Sequence, residues 1–298
     1  MWKEQLITLY CTVCRYYSSR IEHLVQRLSN NCCPQFTDEE LITVYLWGIT
    51  QQQFQAKQIH SHTRMHLLEW FPKLPSYQAF NRRLNELSPA FQELAAILLE
   101  LPAFHTHSFP DGVIDSMPVI LAKQSRSARA KVSPELCSKS YCSSKDQWYY
   151  GMKVHALGCL QPNRMPLPRT LFVSTATDHD LTVAKQIFAS SSRPALRRLF
   201  ADKAYCDIRW KKFLAQAGIQ LLTPRKKLLG YADALPSGDS FSVFVSQVRQ
   251  PIESFFNWLN VKTGIQIASR VRSTKGLLTH IFGRIAAALC ILALRFNS

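Results

Sequence analysis

The chain has 298 residues, 47% of them hydrophobic, which is enough to fill the core of one large or two smaller globular domains. Its 36 Lys and Arg against 20 Asp and Glu give a formal net charge of +16. An excess of that size selects a polyanion such as nucleic acid as the partner, with a ribosomal or membrane-surface protein as the alternative.

No charged-then-apolar leader opens the chain and its nine cysteines are an odd number, so a reducing cytoplasm without disulfides is expected. Cys11 and Cys14 stand one helical turn apart in an apolar pattern, and the adjacent Cys32 and Cys33 lack ligand spacing. Buried or free thiols are therefore favoured over a zinc site. Residues 1–104 read as an all-helical amino-terminal domain. Thr37-Asp38-Glu39-Glu40 is a capping box, with Thr37 as N-cap. The helical pattern continues from His66 to Phe71 and breaks at Pro72 and Pro75. Ser76 then caps a helix with Phe80, Leu84 and Leu87 on one face and Arg82 and Arg83 off it, and Ser88-Pro89 begins another, from Phe91 to Leu101. Such a module is either a DNA reader of helix-turn-helix type, through Arg82 and Arg83, or a bundle that packs on the next domain.

From Phe104 the pattern becomes α/β. Strands are predicted at Val113 to Val119, Trp148 to Leu157 and Leu171 to Ala176, followed by a helix from Leu181 to Ala189 and a strand from Leu196 to Ala201. A helix from Ile208 to Ala217 and a strand from Ile219 to Leu222 complete the series. The order predicts a mixed sheet whose first strands form a meander and whose later ones are parallel. Lys123 to Asp146 and Lys226 to Asp239 read as loops.

Three acids in this region carry the candidate chemistry. Asp115 interrupts an apolar strand, where an ionised group is costly unless a cation offsets it. Asp202 follows Leu199-Phe200-Ala201 at the carboxyl end of a strand, where open α/β sheets place their ligands. Glu253 lies in the helix opened by Pro251, whose Ile252, Phe255, Phe256 and Leu259 form a buried face edged by Glu253, Asn257 and Asn260. Taken alone, Glu253 also reads as an acid complementing the helix dipole. Two strand carboxylates and a helix carboxylate meeting at a sheet edge would suit Mg²⁺ or Mn²⁺, and two such ions about 4 Å apart stabilise the attacking and leaving oxygens of an in-line displacement at phosphorus. No nucleophile elbow, P-loop or dinucleotide-binding turn competes with that reading. The other acids have structural explanations: Asp180 and Asp207 as N-caps, Asp178 beside the first of these, and Asp111 in a turn. His155 and His179 could border the site without a catalytic role.

After Glu253 there is no acid at all, whereas Lys262, Arg270, Arg272, Lys275, Arg284 and Arg295 follow, so this tail is expected to lie against phosphates or an acidic surface. The apolar run Ile285 to Leu294 is about half a bilayer span and reads as a buried helix.

Taken together, Val-Ile-Asp115-Ser-Met-Pro, Trp-Tyr-Tyr-Gly151-Met-Lys153-Val-His155, Ala-Asp202-Lys203-Ala-Tyr205 and Arg249-x-x-x-Glu253-x-x-Phe256, in that order, resemble the DDE transposases of bacterial insertion sequences. The likeness extends to Leu74-Pro75-Ser76-Tyr77 and to Ser269-Arg270-Val271-Arg272-Ser273. It implies an RNase H-like catalytic domain over residues 105–270, a mixed sheet flanked by helices. The helical DNA-binding domain precedes it, and a carboxyl-terminal helix, 271–298, packs upon it. The resemblance further implies that Asp115, Asp202 and Glu253 hold two divalent ions, that a strand is hydrolysed at each element end, and that the freed 3′-OH attacks target DNA. Arg249 matches an arginine that binds the end's backbone, whereas Ser246 and Asn260 stand where related enzymes carry Tyr and Lys, with Lys262 nearby. Lys153, Lys203, Lys262, Arg270 and Arg272 join Arg249, Arg82 and Arg83 as expected DNA contacts. A homodimer on paired ends and a nucleoid-associated, membrane-free location in a bacterium follow. A structure-selective nuclease of the same fold and a catalytically inactive, transposase-derived DNA-binding protein are the alternatives.

Overall fold

A computed structural model of the chain describes residues 2–27, 33–105, 110–189, 195–225 and 239–294. In chain order its main elements are helices α1 (Trp2–Tyr16), α2 (Asp38–Thr50), α3 (Ala56–His66), α4 (Tyr77–Glu86) and α5 (Ser88–Leu99), then strands β1 (Asp111–Lys123), β2 (Ser138–Cys142), β3 (Gln147–Gln161) and β4 (Arg164–Thr175). Helix α6 (Asp180–Ala189), strand β5 (Arg198–Phe200), helix α7 (Ile208–Gln216) and strand β6 (Gln220–Leu222) follow, and helices α8 (Ser240–Arg249), α9 (Pro251–Thr263) and α10 (Thr274–Ala293) close the chain. They form two compact units: a helical one of Met1–Ala103, Lys131–Ser133 and Leu259–Ser298, and a sheet-containing one of Phe104–Ala130 and Pro134–Trp258.

The helical unit begins as its local signals dictate. Thr37 accepts from the Glu40 amide and the Glu40 side chain accepts from the Thr37 amide, which completes the capping box of α2. Ser76 accepts from the Ala79 amide at the start of α4, whose Phe80, Leu84 and following Leu87 are buried. Helix α3 stops at His66, so residues 67–71, expected to continue it, form turns instead. Cys11 is exposed and Cys14 partly buried on α1, while Cys32 lies outside the described residues.

The carboxyl-terminal helix corrects the expected domain plan. Rather than forming an appendage on the catalytic domain, α10 packs on α5 and α2 inside the helical unit, and the sheet-containing unit ends at Trp258. Gly283 permits the approach, since a Cβ there would meet Tyr45 Cε1 at 2.6 Å. Residues Ile285 to Ile291 are buried without interruption, so this half of the helix has no polar face from which its partner could have been read. Helix α10 is long and apolar enough to cross a membrane, with a mean hydropathy of 1.8, but 67% of that window is buried within the protein. That burial is what a core helix requires.

The sheet has the order β2-β3-β1-β5-β6, with β4 also on β3. Strands β1, β3 and β4 form an antiparallel meander, whereas β1, β5 and β6 are parallel. Part of the segment expected to be a loop, 123–146, supplies strand β2 on the first half of β3. The other expected loop, 226–239, lies outside the described residues apart from Asp239. Gly151 has a steric reason to be glycine, because a Cβ there would stand 2.0 Å from the Val119 carbonyl oxygen of the facing strand. A core of Ile114, Leu157, Phe188, Leu199, Trp210 and Leu214 fills the space between the sheet and helices α6 and α7.

Candidate active site

Parallel pairing of β1 and β5 decides where two of the acids fall. Val113 pairs with Phe200, and Asp115 and Asp202 each stand two residues further on, the first within β1 and the second just past the end of β5. The register is pinned at the other end by Asp111, which is not in a turn as expected. It is the first residue of β1, facing Arg198 across the pair, with Oδ1 2.7 Å from Nε and Oδ2 2.5 Å from Nη2.

Asp115 is partly buried, its side chain 21% exposed. Its Oδ1 accepts from the Ser116 amide at 2.8 Å and its Oδ2 from Arg249 Nη1 at 2.6 Å. Burial pushes its carboxyl pKa up to about 6; Arg249 and the Ser116 amide oppose the rise, and the negative charges of Asp202 and Asp180 add to it. Asp202 caps the short turn that follows β5, accepting from the Lys203 amide at 2.7 Å.

Arg249 ends α8, and Pro251 opens α9 with the predicted face of Ile252, Phe255, Phe256 and Leu259 buried. Glu253, one turn along, lies 3.6 Å from Arg249 Nη2 and remains 64% exposed. Arg249 thus stands as the cation between Asp115 and Glu253, with its Nε buried and unpartnered among the described residues. This guanidinium, expected to bind a DNA phosphate, is held by carboxylates instead. Asn260, in the position where a lysine was expected, accepts from the Gln266 amide at 3.2 Å and so fastens the chain after α9.

A fourth acid belongs to this electrostatic field. Asp180 is the first residue of α6 rather than its cap, and Lys153 Nζ lies 2.9 Å from its Oδ1 while also donating to the Asp178 carbonyl at 2.9 Å. Lys153, an expected DNA contact, is therefore the counter-charge of Asp180. No short-range motif signals this pair, because β3 and α6 meet only through the fold. Asp178 accepts from the Thr175 amide at 3.0 Å, and Asp207 caps α7 through the Trp210 amide at 2.6 Å, as predicted. His155 is buried with Nε2 2.9 Å from Ser174 Oγ, and burial lowers its pKa to about 4, so its ring is neutral near pH 7. The buried Tyr205 hydroxyl has no partner among the described residues, and burial first, then Asp180, Asp115 and Asp202, holds it well above the usual phenol range.

Among the described residues no three His, Cys, Asp or Glu side chains converge tightly enough to hold a metal ion. The expected three-acid cluster is thus not gathered: Asp115 and Asp202 are neighbours on the sheet, Glu253 points into solvent, and Arg249 fills the place of a cation. A buried carboxylate raised by two further acids, and relieved by one guanidinium, is nonetheless a donor set of hard oxygens that favours positive charge.

Of the remaining expected DNA contacts, Arg82, Lys203, Arg270 and Arg272 are exposed and Lys262 is half-buried. Arg83 is not available to DNA. It is 13% exposed and clamped to Asp38, because the helix face carrying it turns towards α2.

A mixed sheet of this order, with one acid within β1 and another just past the end of adjacent β5, fits an RNase H-like domain. The chain belongs to the Transposase DDE domain family, whose model matches residues 108–291. No curated protein matches it. Membership makes the protein a nuclease- or transposase-type enzyme; the family acts on DNA and generally uses divalent metals.

Because Arg249 and a metal ion would compete for Asp115, Arg249→Gln is expected to raise affinity for Mn²⁺ in the absence of DNA by about tenfold, or ~1.4 kcal/mol, in isothermal titration. Unchanged or weaker Mn²⁺ binding in that variant would show that the guanidinium does not occupy the cation position.

Proposed function

We propose that the protein is the transposase of a bacterial insertion sequence, cutting DNA at the element ends and joining them to a target. The observation that carries this reading is the juxtaposition of Asp115 and Asp202 across the β1–β5 pair in a chain of the Transposase DDE domain family. Asp115, Asp202 and Glu253 are the carboxylates that would hold two Mg²⁺ or Mn²⁺ ions, with Glu253 brought in from its exposed position. Bound there, such ions supply Lewis-acid stabilisation of the attacking and leaving oxygens. In hydrolysis a water oxygen bonds to the end phosphorus as the 3′ oxygen leaves with a proton. In joining, that 3′-OH bonds to a target phosphorus and a target 3′-OH is released.

The basic groups bind DNA in this reading. Arg249 would exchange Asp115 for a phosphate as the site loads, and Lys203, Lys262, Arg270, Arg272 and Arg82 contact the backbone. Lys153 serves chiefly to position Asp180. Pairing of two ends suggests a homodimer. The test is a supercoiled plasmid carrying the gene with its native flanks, incubated with purified protein and Mg²⁺. Nicks at inverted repeats bounding the gene, together with joined products, are expected. Cutting without joining would leave a nuclease, and metal-independent binding without cutting would leave an inactive DNA-binding derivative.

A further inference from the structure

The helical unit contains a cleft of about 710 Å³ between the start of α3, the middle of α4, the connection 264–273 and the first turns of α10. Among the described residues its lining holds Lys57, Arg270, Arg272 and Arg284 but no Asp or Glu. The imbalance originates in the sequence, since the chain beyond Glu253 has no acid to contribute. It matters because unneutralised cations facing one concavity raise a positive potential that only a mobile anion can satisfy.

The structure shows what holds these cations. Arg284 is 4% exposed, and its donors reach neutral groups only: the Thr263 carbonyl at 3.0 Å, the Phe54 carbonyl at 2.6 Å and the His280 ring at 3.1 Å. Arg272 donates to the Ser269 and Val271 carbonyls at 2.8 Å each, and Arg270 donates to Gln55 Oε1. Arg270 and Arg272 are therefore oriented by uncharged oxygens and stay exposed with their charge unneutralised, while Arg284 adds its charge from beneath the cleft. Ser273 caps α10 through the Gly276 amide at 3.1 Å, and both residues line the cleft, so the positive end of a 20-residue helix adds to the field.

The basic lining continues past this cleft. A second hollow of about 410 Å³ shares Asn85 and Ser273 with the first and adds Arg82 and Lys275. Its one acid, Glu86, is already drawn to Arg83 at 3.3 Å. A single phosphate would need one or two of these cations in a small cradle. A continuous track with Lys57, Arg270, Arg272, Lys275 and Arg82 along it matches a chain of phosphates instead.

We infer that this track is a DNA-backbone binding site, assembled in the helical unit from both ends of the chain. It rests on the reading that the protein acts on DNA, and it assigns the contact to the α3–α4–α10 concavity in place of a recognition helix bearing Arg82 and Arg83. The amides of Asn81 and Asn85 give its floor uncharged hydrogen-bonding groups alongside the phosphate-binding rim.

The test uses the full chain in EDTA, so that the carboxylate site has no metal, with fluorescence anisotropy of a labelled 30-base-pair duplex from the element end. Lys57→Glu/Arg272→Glu is expected to bind at least tenfold more weakly than wild type, and its log K against log salt slope should be shallower by about 2. Lys3→Glu/Arg15→Glu changes the charge equally on the exposed face of α1 and should bind within about threefold of wild type. Equal losses in the two double variants, or wild-type affinity and slope in the first, would overturn the site. Competition by AMP at micromolar concentration would also overturn it, assigning the cleft to a mononucleotide. Failure of the wild type to bind duplex at all would instead sink the DNA reading itself. Melting curves matching wild type show that lost binding in the first variant is not lost folding.

Discussion

Asp115→Asn is expected to lower metal-dependent cleavage of element-end DNA by at least about 10³-fold, roughly 4 kcal/mol of transition-state stabilisation, while duplex affinity in EDTA stays within about twofold. The separation follows from where the carboxylate sits. It sits within β1, partly buried, with the charge of Asp202 acting on it and Arg249 as its partner. Folding does not require its charge and is opposed by it. Burial raises its pKa from the ordinary 3.8 to about 6, so the native state binds the proton more tightly than the unfolded chain. Wild-type stability therefore falls as pH rises between about 4 and 6, by an amount on the order of 2–3 kcal/mol. The neutral Asn removes that fall and leaves Arg249 with an amide oxygen to bond. Its melting temperature at pH 7 should equal or exceed that of wild type, and its stability should no longer decline over that pH window. Cleavage persisting in a well-folded Asp115→Asn protein would falsify the site assignment.

Asp38→Ala should have the opposite profile, with a large loss of stability. Asp38 opens α2 and is 5% exposed; Tyr17 OH donates to it at 2.9 Å, Arg27 Nη2 at 2.5 Å and Arg83 Nε at 2.9 Å. Removing the carboxylate leaves the largely buried Arg27 without its anion and Arg83 with only the exposed Glu86 at 3.3 Å, a change that costs about 3–5 kcal/mol. Burial alone would raise the pKa of Asp38, but Arg83 and Arg27 outweigh it and hold the carboxyl below its ordinary range. Its contribution is therefore complete above about pH 4 and is lost as pH falls through the depressed native value. Chemical denaturation at pH 7 should show the loss, and the acid limb of the variant's stability curve should be shallower than that of wild type. Equal stability of the two at pH 7 would mean that the Arg27 and Arg83 side chains find water or other acceptors once Asp38 is gone.

Much of the architecture was legible because it rests on local rules. The capping box at Thr37 to Glu40, the cap at Ser76, the buried face after Pro251 and the strand series from Val113 to Leu222 depend on contacts within a few residues, which spacing reports directly. Strand β2 carries no local signal, because Ser138 to Cys142 is short, partly exposed and stabilised by pairing with β3. Asp111 looked like a turn former beside Gly112, and its bond to Arg198 spans a pairing that the local sequence does not encode.

The candidate site divides in the same way. The three acids, the basic tail without counter-ions and the order of motifs were determined by the sequence alone, since residue type at a strand end or helix start carries its own electrostatic cost. Tertiary structure alone decided what neutralises each charge. Arg249 turns to Asp115, Lys153 to Asp180 and Arg83 to Asp38, while Arg270 and Arg272 are left on neutral oxygens. It also decided that α10 completes the helical unit. The physical reason is common to both: a helix buried on every side, or a charge seeking its partner, is satisfied by proximity in space, and proximity over such sequence separations is fixed only when the chain has folded.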